Sequence, residues 1–293
     1  MGFKPCFAHP DLWIKDMGDH YKYIGTFVDD VLLFSKKPEG ILEKLKTKYG
    51  YKLKNVGPPE YYNGADMLFN ESTQCWEMSA RTYIKNICEK IEKLFGITLK
   101  NYGSPMETGD HPEIDETDLL APQEISQYQM LVGCAQWTVT LGRYDVQYAT
   151  NTLARYGTTP REGHLKRMLR LFGYLKHHQK YRIAFDNGDP SYDSPEFFEH
   201  DFTGLYPDAN EDIPENMPEP RTRGVYITVY ADSSHGSCLI TRRSTTGILL
   251  AVNRTPILTY CKRQNTVESS TYGSEFMAER ITIKRILKYR YKC

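Results

Sequence analysis

The sequence lacks the features that mark membrane-embedded, secreted and zinc-clustered proteins. No apolar run approaches the roughly 18 residues that a membrane-spanning helix needs. The N-terminus shows no signal-peptide pattern, and the seven cysteines are widely spaced without a CxxC pair. An odd number of cysteines without paired spacing argues against a disulfide framework and against a Cys-built zinc site. We therefore expect a folded protein of a reducing intracellular compartment that does not bind a membrane.

Basic residues are missing from one long stretch of the chain. Residues 186–220 hold 11 acidic side chains and six prolines but no Lys or Arg. The other residues carry 37 basic and 26 acidic side chains, so the net charge of zero conceals a net charge of +11 outside this stretch. We interpret the stretch as a linker whose Phe197, Phe198, Phe202 and Tyr206 are candidates for docking on a neighbouring domain. The basic remainder favours a polyanionic partner.

Hydrophobic periodicity and turn residues predict an α+β protein. Residues 21–35 are predicted to form a β-hairpin with Asp29 and Asp30 in its turn. A helix over residues 39–49 is predicted to follow, because its apolar residues recur on one face and Gly50 stops it.

Helices are predicted for the middle of the chain and strands for its last part. An amphipathic helix is expected to start near Ser79 and to end at Gly96. The third helix of the next region is expected to open with the capping box Thr159-Pro160-Arg161-Glu162, with Pro160 at the first helical position. The remaining predicted elements are three helices within 122–178 divided by Gly142 and Gly157, strands at 225–231, 246–252 and 257–261, and a helix from about Ser274.

Two adjacent aspartates at a hairpin turn require an explanation. Their charges repel, and the turn lacks the Gly or Asn that tight hairpins favour. Two divalent metal ions would relieve the repulsion and clamp the attacking and leaving oxygens of an in-line displacement. From these residues alone, an ordinary acidic turn on a surface hairpin remains the alternative.

The residues around this turn resemble the Tyr-x-Asp-Asp box of copia-type retrotransposon reverse transcriptases. The box here reads Phe27-Val28-Asp29-Asp30. Further segments that match the same family in the same order are Gly2–Pro5, Asp11–Ile14, Tyr61–Asp66, Ser104–Met106, Tyr128–Gly133, Arg143–Val146 and Phe172–Lys176. Several boxes in the right order are more specific than any one of them. The resemblance covers nearly the whole chain apart from the acidic linker.

The resemblance implies that Asp29 and Asp30 bind catalytic Mg²⁺, with Mn²⁺ as a substitute, in a polymerase palm. Tyr62 and Gly64 would lie near the primer end and contact nucleic acid. The implied domains are a partial reverse transcriptase palm over 1–105, a helical thumb and connection over 106–185, the acidic Pro-rich linker over 186–222, and the N-terminal part of an RNase H-like domain over 223–293. Two departures stand out. Phe27 replaces the usual Tyr, and the family's third catalytic aspartate lies upstream of this sequence.

A second pair of acids follows the linker. Asp232 ends a predicted strand and Glu275 opens the last predicted helix. Acids are common at both kinds of position without any catalytic role, so a purely structural role is the alternative. A strand with Asp, two hairpin strands and a helix that opens with Glu is the order in which an RNase H domain begins. The segments that resemble the copia version are Arg242–Gly247, Lys262–Gln264 and Ser269–Phe276.

By that resemblance, Asp232 and Glu275 are ligands of a two-metal site that cuts the RNA strand of an RNA–DNA hybrid. Ser233-Ser234-His235 stands where the family has Ala-Asp-Trp, which is a departure from its pattern. The family's remaining catalytic aspartates do not occur in the 18 residues after Glu275.

Basic residues outside the linker are candidates for phosphate contacts. They are Lys166, Arg167, Arg170, Arg242, Arg243, Lys262 and Arg263. For those on the third helix of the 122–178 region, a plain solvated face is the alternative. The histidines and cysteines show no ligand spacing, so no structural zinc is predicted.

The resemblance therefore implies a fragment of an RNA-directed DNA polymerase with RNase H. Its partners would be an RNA template, a DNA primer, the RNA–DNA hybrid and the rest of the Pol polyprotein. Because each site lacks at least one acid, we expect the chain to be inactive by itself. The family replicates in cytoplasmic virus-like particles, so we expect the cytoplasm, with the nucleus as the second compartment.

Two alternatives to this interpretation remain open from the sequence. The first is a non-catalytic nucleic-acid-binding module or retrotransposon relic, and the second is a product that folds poorly. The basic remainder motivates the first. A palm without its upstream strand has an unpaired sheet edge, which motivates the second.

Overall fold

The computed structural model describes residues 1–6, 9–191, 201, 203–208, 215, 217–221 and 223–290. In these ranges the chain forms six α-helices and eleven strands in three antiparallel sheets. This mixed architecture agrees with the predicted α+β class. No helix among the described residues combines the length and apolar character needed to cross a membrane.

The contacts divide the chain into two compact units, each built from two segments. Unit 1 comprises Met1–Lys52 and Gly188–Tyr226, and unit 2 comprises Leu53–Asn187 and Ile227–Cys293. The predicted domain boundaries stay a prediction. Of the aromatic residues proposed to dock from the linker, Tyr206 is exposed, and the other three, Phe197, Phe198 and Phe202, lie outside the described residues.

Unit 1 contains a four-stranded antiparallel sheet and one helix. The strands pair in chain order and are β1 (Lys4–Cys6), β2 (His9–Asp16), β3 (Tyr21–Phe27) and β4 (Asp30–Phe34). Helix α1 (Glu39–Thr47) follows, and the helix predicted over residues 39–49 is confirmed. Gly50 adopts a φ of +71° just beyond it, where a residue without Cβ meets no steric penalty. In its described part, unit 1 contributes only Ile24 and Ile41 to the buried hydrophobic residues.

The end of the acidic linker packs on the start of β3 in unit 1. The Tyr21 hydroxyl donates a hydrogen bond of 2.7 Å to the carbonyl oxygen of Glu219. The Arg221 guanidinium pairs with Asp16 at 2.7 Å and lies 6.0 Å from the centre of the Tyr21 ring. These contacts tie residues 217–221 to the sheet that carries the first acidic pair.

Unit 2 is built around four helices. They are α2 (Arg81–Phe95), α3 (Pro122–Thr140), α4 (Gln147–Ala154) and α5 (Glu162–His177). Gly96 ends α2 in the left-handed conformation with φ +63°, as its position after the apolar stripe predicts. The division of the 122–178 region into three helices is also confirmed. The shared core includes fully buried Tyr128, Leu131, Leu153, Met168, Leu171 and Phe172.

Two sheets complete unit 2. The first runs in the order β5 (Tyr61–Tyr62), β6 (Ala65–Asn70), β7 (Cys75–Ser79) and β8 (Ile183–Ala184). The second has β10 (Thr245–Val252) between β11 (Thr255–Arg263) and β9 (Ile227–Ser234). Helix α6 (Thr271–Arg290) packs on this second sheet, mainly against β9. The three strands predicted after the linker are therefore confirmed, but β9 begins two residues and ends three residues later than predicted. The prediction that Asp232 ends this strand is wrong, because the pairing with β10 continues to Ser234.

The predicted start of α5 is wrong by two residues. Pro160 is not the first helical residue, because its carbonyl oxygen accepts a hydrogen bond from Leu120 and the chain stays extended there. The helix begins at Glu162, and Arg161 is its N-cap. The Arg161 N–H donates to Nδ1 of His164 at 3.0 Å, so an imidazole takes the capping role that the sequence suggested for an acid.

Candidate metal and nucleic-acid sites

The first acidic pair sits at the tip of the β3–β4 hairpin. Phe27 pairs with Asp30, so the two loop residues are Val28 and Asp29. The prediction that Asp29 and Asp30 together form the turn is wrong by one residue, because this register makes Asp30 the first residue of β4. Val28 has a φ of +50° and Asp29 does not have a positive φ, which is the pattern of a type II′ turn.

Val28 holds a strained backbone conformation. A positive φ costs a non-glycine residue roughly 1–2 kcal/mol, and it is an outlier for a β-branched side chain. The side chain is 89% exposed, so no packing compensates for the strain. Such strain clusters at functional sites, where it fixes the direction of neighbouring groups. The turn therefore fixes the backbone that carries the two carboxylates at the end of the hairpin.

Asp29 and Asp30 present free carboxylates at this tip. Both residues are exposed, and neither carboxylate makes a hydrogen bond or ion pair with any residue that the structure describes. Carboxylate oxygens are the ligands that Mg²⁺ and Mn²⁺ prefer. The donor chemistry thus fits part of a divalent metal site. Among the described residues, there is no group of three or more His, Cys, Asp or Glu that could hold a metal ion.

The β5–β6 hairpin carries the predicted primer-end residues. Tyr62 pairs with Ala65, which leaves Asn63 and Gly64 as a two-residue turn with φ of +49° and +85°. Positive φ at both positions defines a type I′ turn, which Asn-Gly favours. A Cβ on Gly64 would lie 3.2 Å from Nε1 of Trp137 on α3. Helix α3 of the core therefore packs directly against this turn.

A buried amide joins the two elements that carry the second acidic pair. Nε2 of Gln264 lies 3.2 Å from Oγ of Ser233, 3.0 Å from Oγ1 of Thr246 and 2.8 Å from the carbonyl oxygen of Ser274. Ser233 precedes Ser234 at the end of β9, and Ser274 lies in the first turns of α6. All four linked residues are buried. Gln264 thus fixes the end of β9 relative to the start of α6.

The acids themselves point in different directions. The β9–β10 ladder is regular from Ile227 to Ser234, so neighbouring side chains alternate between the two faces of the sheet. Ser233 faces α6 through Gln264, and the exposed Asp232 therefore lies on the other face. The helix begins at Thr271, earlier than the predicted Ser274, because the Ser274 N–H already bonds to the Ser270 carbonyl oxygen.

Glu275 is consequently in the second turn of α6, and it is half-buried. Asp232 and Glu275 lie on elements that pack together, but the strand alternation does not aim them at one point. The structure packs β9 against α6 but leaves the two carboxylates on different sides of the sheet.

Two of the predicted phosphate contacts are engaged inside the protein. The Arg167 guanidinium donates to the Asp110 carboxylate at 2.8 Å and also pairs with Asp115. Arg170 pairs with Glu107 at 2.5 Å. These ion pairs hold the connection before α3 against α5. A phosphate would have to displace an internal carboxylate to reach either guanidinium.

The ion pairs around Arg167 shift the ionisation of their partners. Hydrogen bonds to Asp110 raise the pKa of Arg167 above its usual value. Burial would raise the pKa of Asp115, but hydrogen bonds from Thr117 and Arg167 outweigh it and hold that pKa below its usual value. The charged forms of Arg167 and Asp115 are therefore favoured in the folded protein.

The other predicted phosphate contacts remain at the surface. Lys166 is exposed and lies 3.6 Å from Glu162 on the same helix face. The register pairs Thr245 with Arg263 and Thr246 with Lys262, and two further arginines directly precede the start of β10. Four cations therefore lie at one end of the second sheet. These four are Arg242, Arg243, Lys262 and Arg263. Arg263 is half-buried with its Nη1 3.8 Å from Sγ of Cys238, whereas Arg242 and Lys262 are exposed.

Sequence reasoning assigned no role to Val28 or Gln264. Gln264 was visible only as part of a matched segment, and a buried amide that joins three segments leaves no periodic signal. Val28 was visible only as the variable position of its box. Its unusual φ follows from the pairing of Phe27 with Asp30, which a local pattern cannot specify to one residue.

Two known proteins are similar to this chain over most of its length. The chain is 23% identical to the putative transposon Ty5-1 protein of Saccharomyces cerevisiae over 237 residues, which span 79% of this chain and 70% of that protein. It is 24% identical to an uncharacterized mitochondrial protein of Arabidopsis thaliana over 262 residues, which span 89% and 91% of the two chains. No protein-family model matches the chain. No solved structure matches it either.

The relatives and the ordered motifs support one class, a retrotransposon-derived protein. Within that class they support a protein derived from the Pol polyprotein of the Ty1/copia type. The resemblance found in the sequence is thereby confirmed.

Proposed function

We propose that this chain is part of the reverse transcriptase and RNase H of a copia-type Pol polyprotein and is inactive by itself. One observation carries the proposal. Two adjacent carboxylates without partners among the described residues, one in a strained two-residue turn and one at the start of the next strand, stand at the tip of a hairpin. An ordinary surface turn needs neither the strain nor the uncompensated repulsion. The family relationship supplies the chemistry that such an arrangement serves.

In the polymerase, bound Mg²⁺ would stabilise the attacking and leaving oxygens of nucleotidyl transfer. Asp29 and Asp30 would hold the metal through their carboxylate oxygens. The type II′ turn would keep both side chains in place, since Val28 fixes the backbone between the two strands. In this proposal, the turn of Tyr62, Asn63 and Gly64 supports the primer end by presenting backbone close to the nucleic acid.

In the RNase H part, Asp232 and Glu275 would be ligands of a second metal site. The observed alternation places their side chains on different faces of the sheet, so a site that uses both requires the end of β9 to rotate. Gln264 would oppose that rotation, because its hydrogen bonds tie the end of β9 to the start of α6. We therefore propose that this half of the chain does not cleave RNA in the form described here.

The polymerase proposal is tested by combining metal binding with primer extension. The parent chain, the Asp29→Asn/Asp30→Asn variant and an Asp11→Asn control, changed on the exposed part of β2, are compared on an RNA template with Mg²⁺. We expect no extension by any of them. Mn²⁺ binding followed by electron paramagnetic resonance should be present in the parent and the control and lost in the double variant. Equal Mn²⁺ binding by all three would contradict the metal site.

Extension by the parent that the double variant lacks would overturn the proposed inactivity and leave the polymerase assignment standing. It would mean that an acid outside the pair completes the site.

A second candidate function is hybrid binding without catalysis. The four cations at the end of the second sheet and the charge of +11 outside the linker favour it. Binding of an RNA–DNA hybrid should weaken steeply between low and high salt. Arg242→Ala should reduce the slope of log K against log salt by about 1, whereas Arg167→Ala should leave it unchanged because that guanidinium is paired internally. Binding that does not respond to salt would exclude this function.

A further inference from the structure

Helix α6 has a second apolar side that faces solvent. Its inner side packs on the second sheet through buried Ala278 and Thr282. On the outer side, Tyr272, Phe276, Ile283 and Leu287 are 79%, 55%, 57% and 46% exposed. Four large apolar side chains therefore remain in water on one helix.

These four residues form a stripe along one side of α6 in two pairs, which Glu279 and Arg280 separate along the helix axis. With about 100° of rotation per residue, the four fall within about 60° of one another around the helix axis. Scattered exposed apolar residues are ordinary, but several large ones on one side of a helix indicate an interaction surface. The strip is roughly 20 Å long, since its ends are 15 residues apart at 1.5 Å each.

Charged residues flank the stripe with opposite sign on its two sides. Glu275 and Glu279 lie on one side, and Arg280, Lys284 and Lys288 lie on the other. None of the five makes a hydrogen bond or ion pair with the described part of the chain. Four of them are exposed and Glu275 is half-buried. The stripe therefore carries an acidic border and a basic border, neither of them neutralised by the described residues.

We propose that this stripe is the interface of a parallel dimer between two copies of the chain. In a parallel pair, the acidic border of one helix faces the basic border of the other, as in parallel helix pairs whose flanking charges set the orientation. Glu275 then lies beside the partner's Arg280, and Glu279 beside the partner's Lys284. An antiparallel pair would set each border against its own copy and would be repulsive.

The interface is symmetric and closes on itself. The same surface is used by both copies about a two-fold axis parallel to α6, so the assembly stops at two chains. The two sheets lie on the outside and the two helices in the centre. Two helices that meet over this length bury on the order of 1,000 Å² in total, which is the low end for specific complexes. We therefore expect dissociation in the micromolar range. The dimer does not depend on the proposed catalytic function.

The apolar part is tested by sedimentation of the full chain between about 1 and 100 µM. The parent should shift from monomer to dimer with concentration. Ile283→Glu should remain monomeric throughout, whereas the control Ile240→Glu, which changes another exposed isoleucine outside α6, should dimerise like the parent. Circular dichroism confirms that each variant is folded. A monomeric parent at the highest concentration, or a dimer unaffected by Ile283→Glu, overturns the proposal.

The parallel arrangement is tested by charge reversal. Glu279→Lys and Lys284→Glu should each weaken self-association about tenfold, because symmetry places two repulsive pairs in each dimer. An equimolar mixture of the two variants should dimerise at least as well as the parent, since every pair across the interface is then attractive. The chain that carries both reversals should also recover. If neither the mixture nor the doubly reversed chain recovers, the parallel dimer is wrong even if the stripe is an interface.

Discussion

At the scale of single residues, the protein combines positions under strain with positions held by dense pairing. Val28 has a φ of +50° without packing around it, and Asn63 reaches a similar φ where Asn is well tolerated. Arg167 is the opposite case, with two carboxylates around one guanidinium. Changes at these positions should therefore alter stability in opposite directions.

Replacement of Val28 by Gly should stabilise the β3–β4 hairpin. Glycine removes a conformational cost of roughly 1–2 kcal/mol, and it adds back about 0.5–1 kcal/mol through the entropy of the unfolded chain. We expect a net gain of about 0.5–1 kcal/mol in the free energy of unfolding of unit 1, measured by urea denaturation. Val31→Gly, in the neighbouring strand, should lower stability. A loss of equal size at both positions would show that Val28 is not strained.

Replacement of Arg167 by Ala should destabilise unit 2 by about 2–3 kcal/mol, because it strands two partly buried carboxylates. The pKa of Asp115 is lowered in the folded state, so its contribution is fully present above its unfolded pKa of about 4 and is lost as the pH falls through the folded value. The difference between parent and variant should therefore shrink below about pH 4. Lys166→Ala, at an exposed neighbour, should change stability by less than about 0.5 kcal/mol at any pH.

At the scale of elements, helices formed where periodicity and caps agree, and tertiary contacts moved their ends. The stripe of α2 and its stop at Gly96 needed no information beyond the local sequence. The start of α5 was displaced because Pro160 is held extended by Leu120, a residue 40 positions away. Close packing between elements likewise requires small residues at contact points that the local sequence does not identify. Gly173 on α5 is such a residue, because the backbone of Lys100 packs directly against it.

Two glycines in helices should respond oppositely to alanine. A Cβ on Gly173 would lie 2.3 Å from the carbonyl oxygen of Lys100, so Gly173→Ala must push α5 away from that segment. We expect a loss of about 2–3 kcal/mol by chemical denaturation. Gly133 on α3 has open space around it, and Gly133→Ala should gain up to about 1 kcal/mol from helix propensity. Similar effects of the two changes would be inconsistent with the packing of α5.

At the scale of the whole molecule, the two units differ in how much apolar surface they bury. The described part of unit 1 contributes two buried hydrophobic residues, Ile24 and Ile41, while the main hydrophobic cluster belongs entirely to unit 2. Hydrophobic burial dominates folding stability. From the described residues, we therefore expect the unit that carries Asp29 and Asp30 to be the less stable of the two.

Hydrogen exchange should resolve this difference. Amides in β3 and β4 should open at lower free energy than those in α3 and α5, and added denaturant should expose unit 1 first. Fluorescence offers a second probe, because Trp13 lies in unit 1 and Trp76 and Trp137 lie in unit 2. A variant that retains only Trp13 should report an earlier transition than one that retains the other two. A single transition shared by every probe would refute the prediction.

The sequence by itself determined the class of the protein, most of its helices and strands, and which two pairs of acids are candidate metal ligands. Ordered boxes, helical periodicity and the stop of α2 at Gly96 each depend on residues that are close together in the chain, so they are recognisable without the fold. The tertiary structure alone decided the register that strains Val28, the carboxylates that occupy Arg167 and the face of the sheet to which Asp232 points. The physical reason is distance along the chain. Asp110 and Arg167 are separated by 57 residues, and a shift of one residue in a strand reverses every side chain, so neither outcome is encoded in any local pattern.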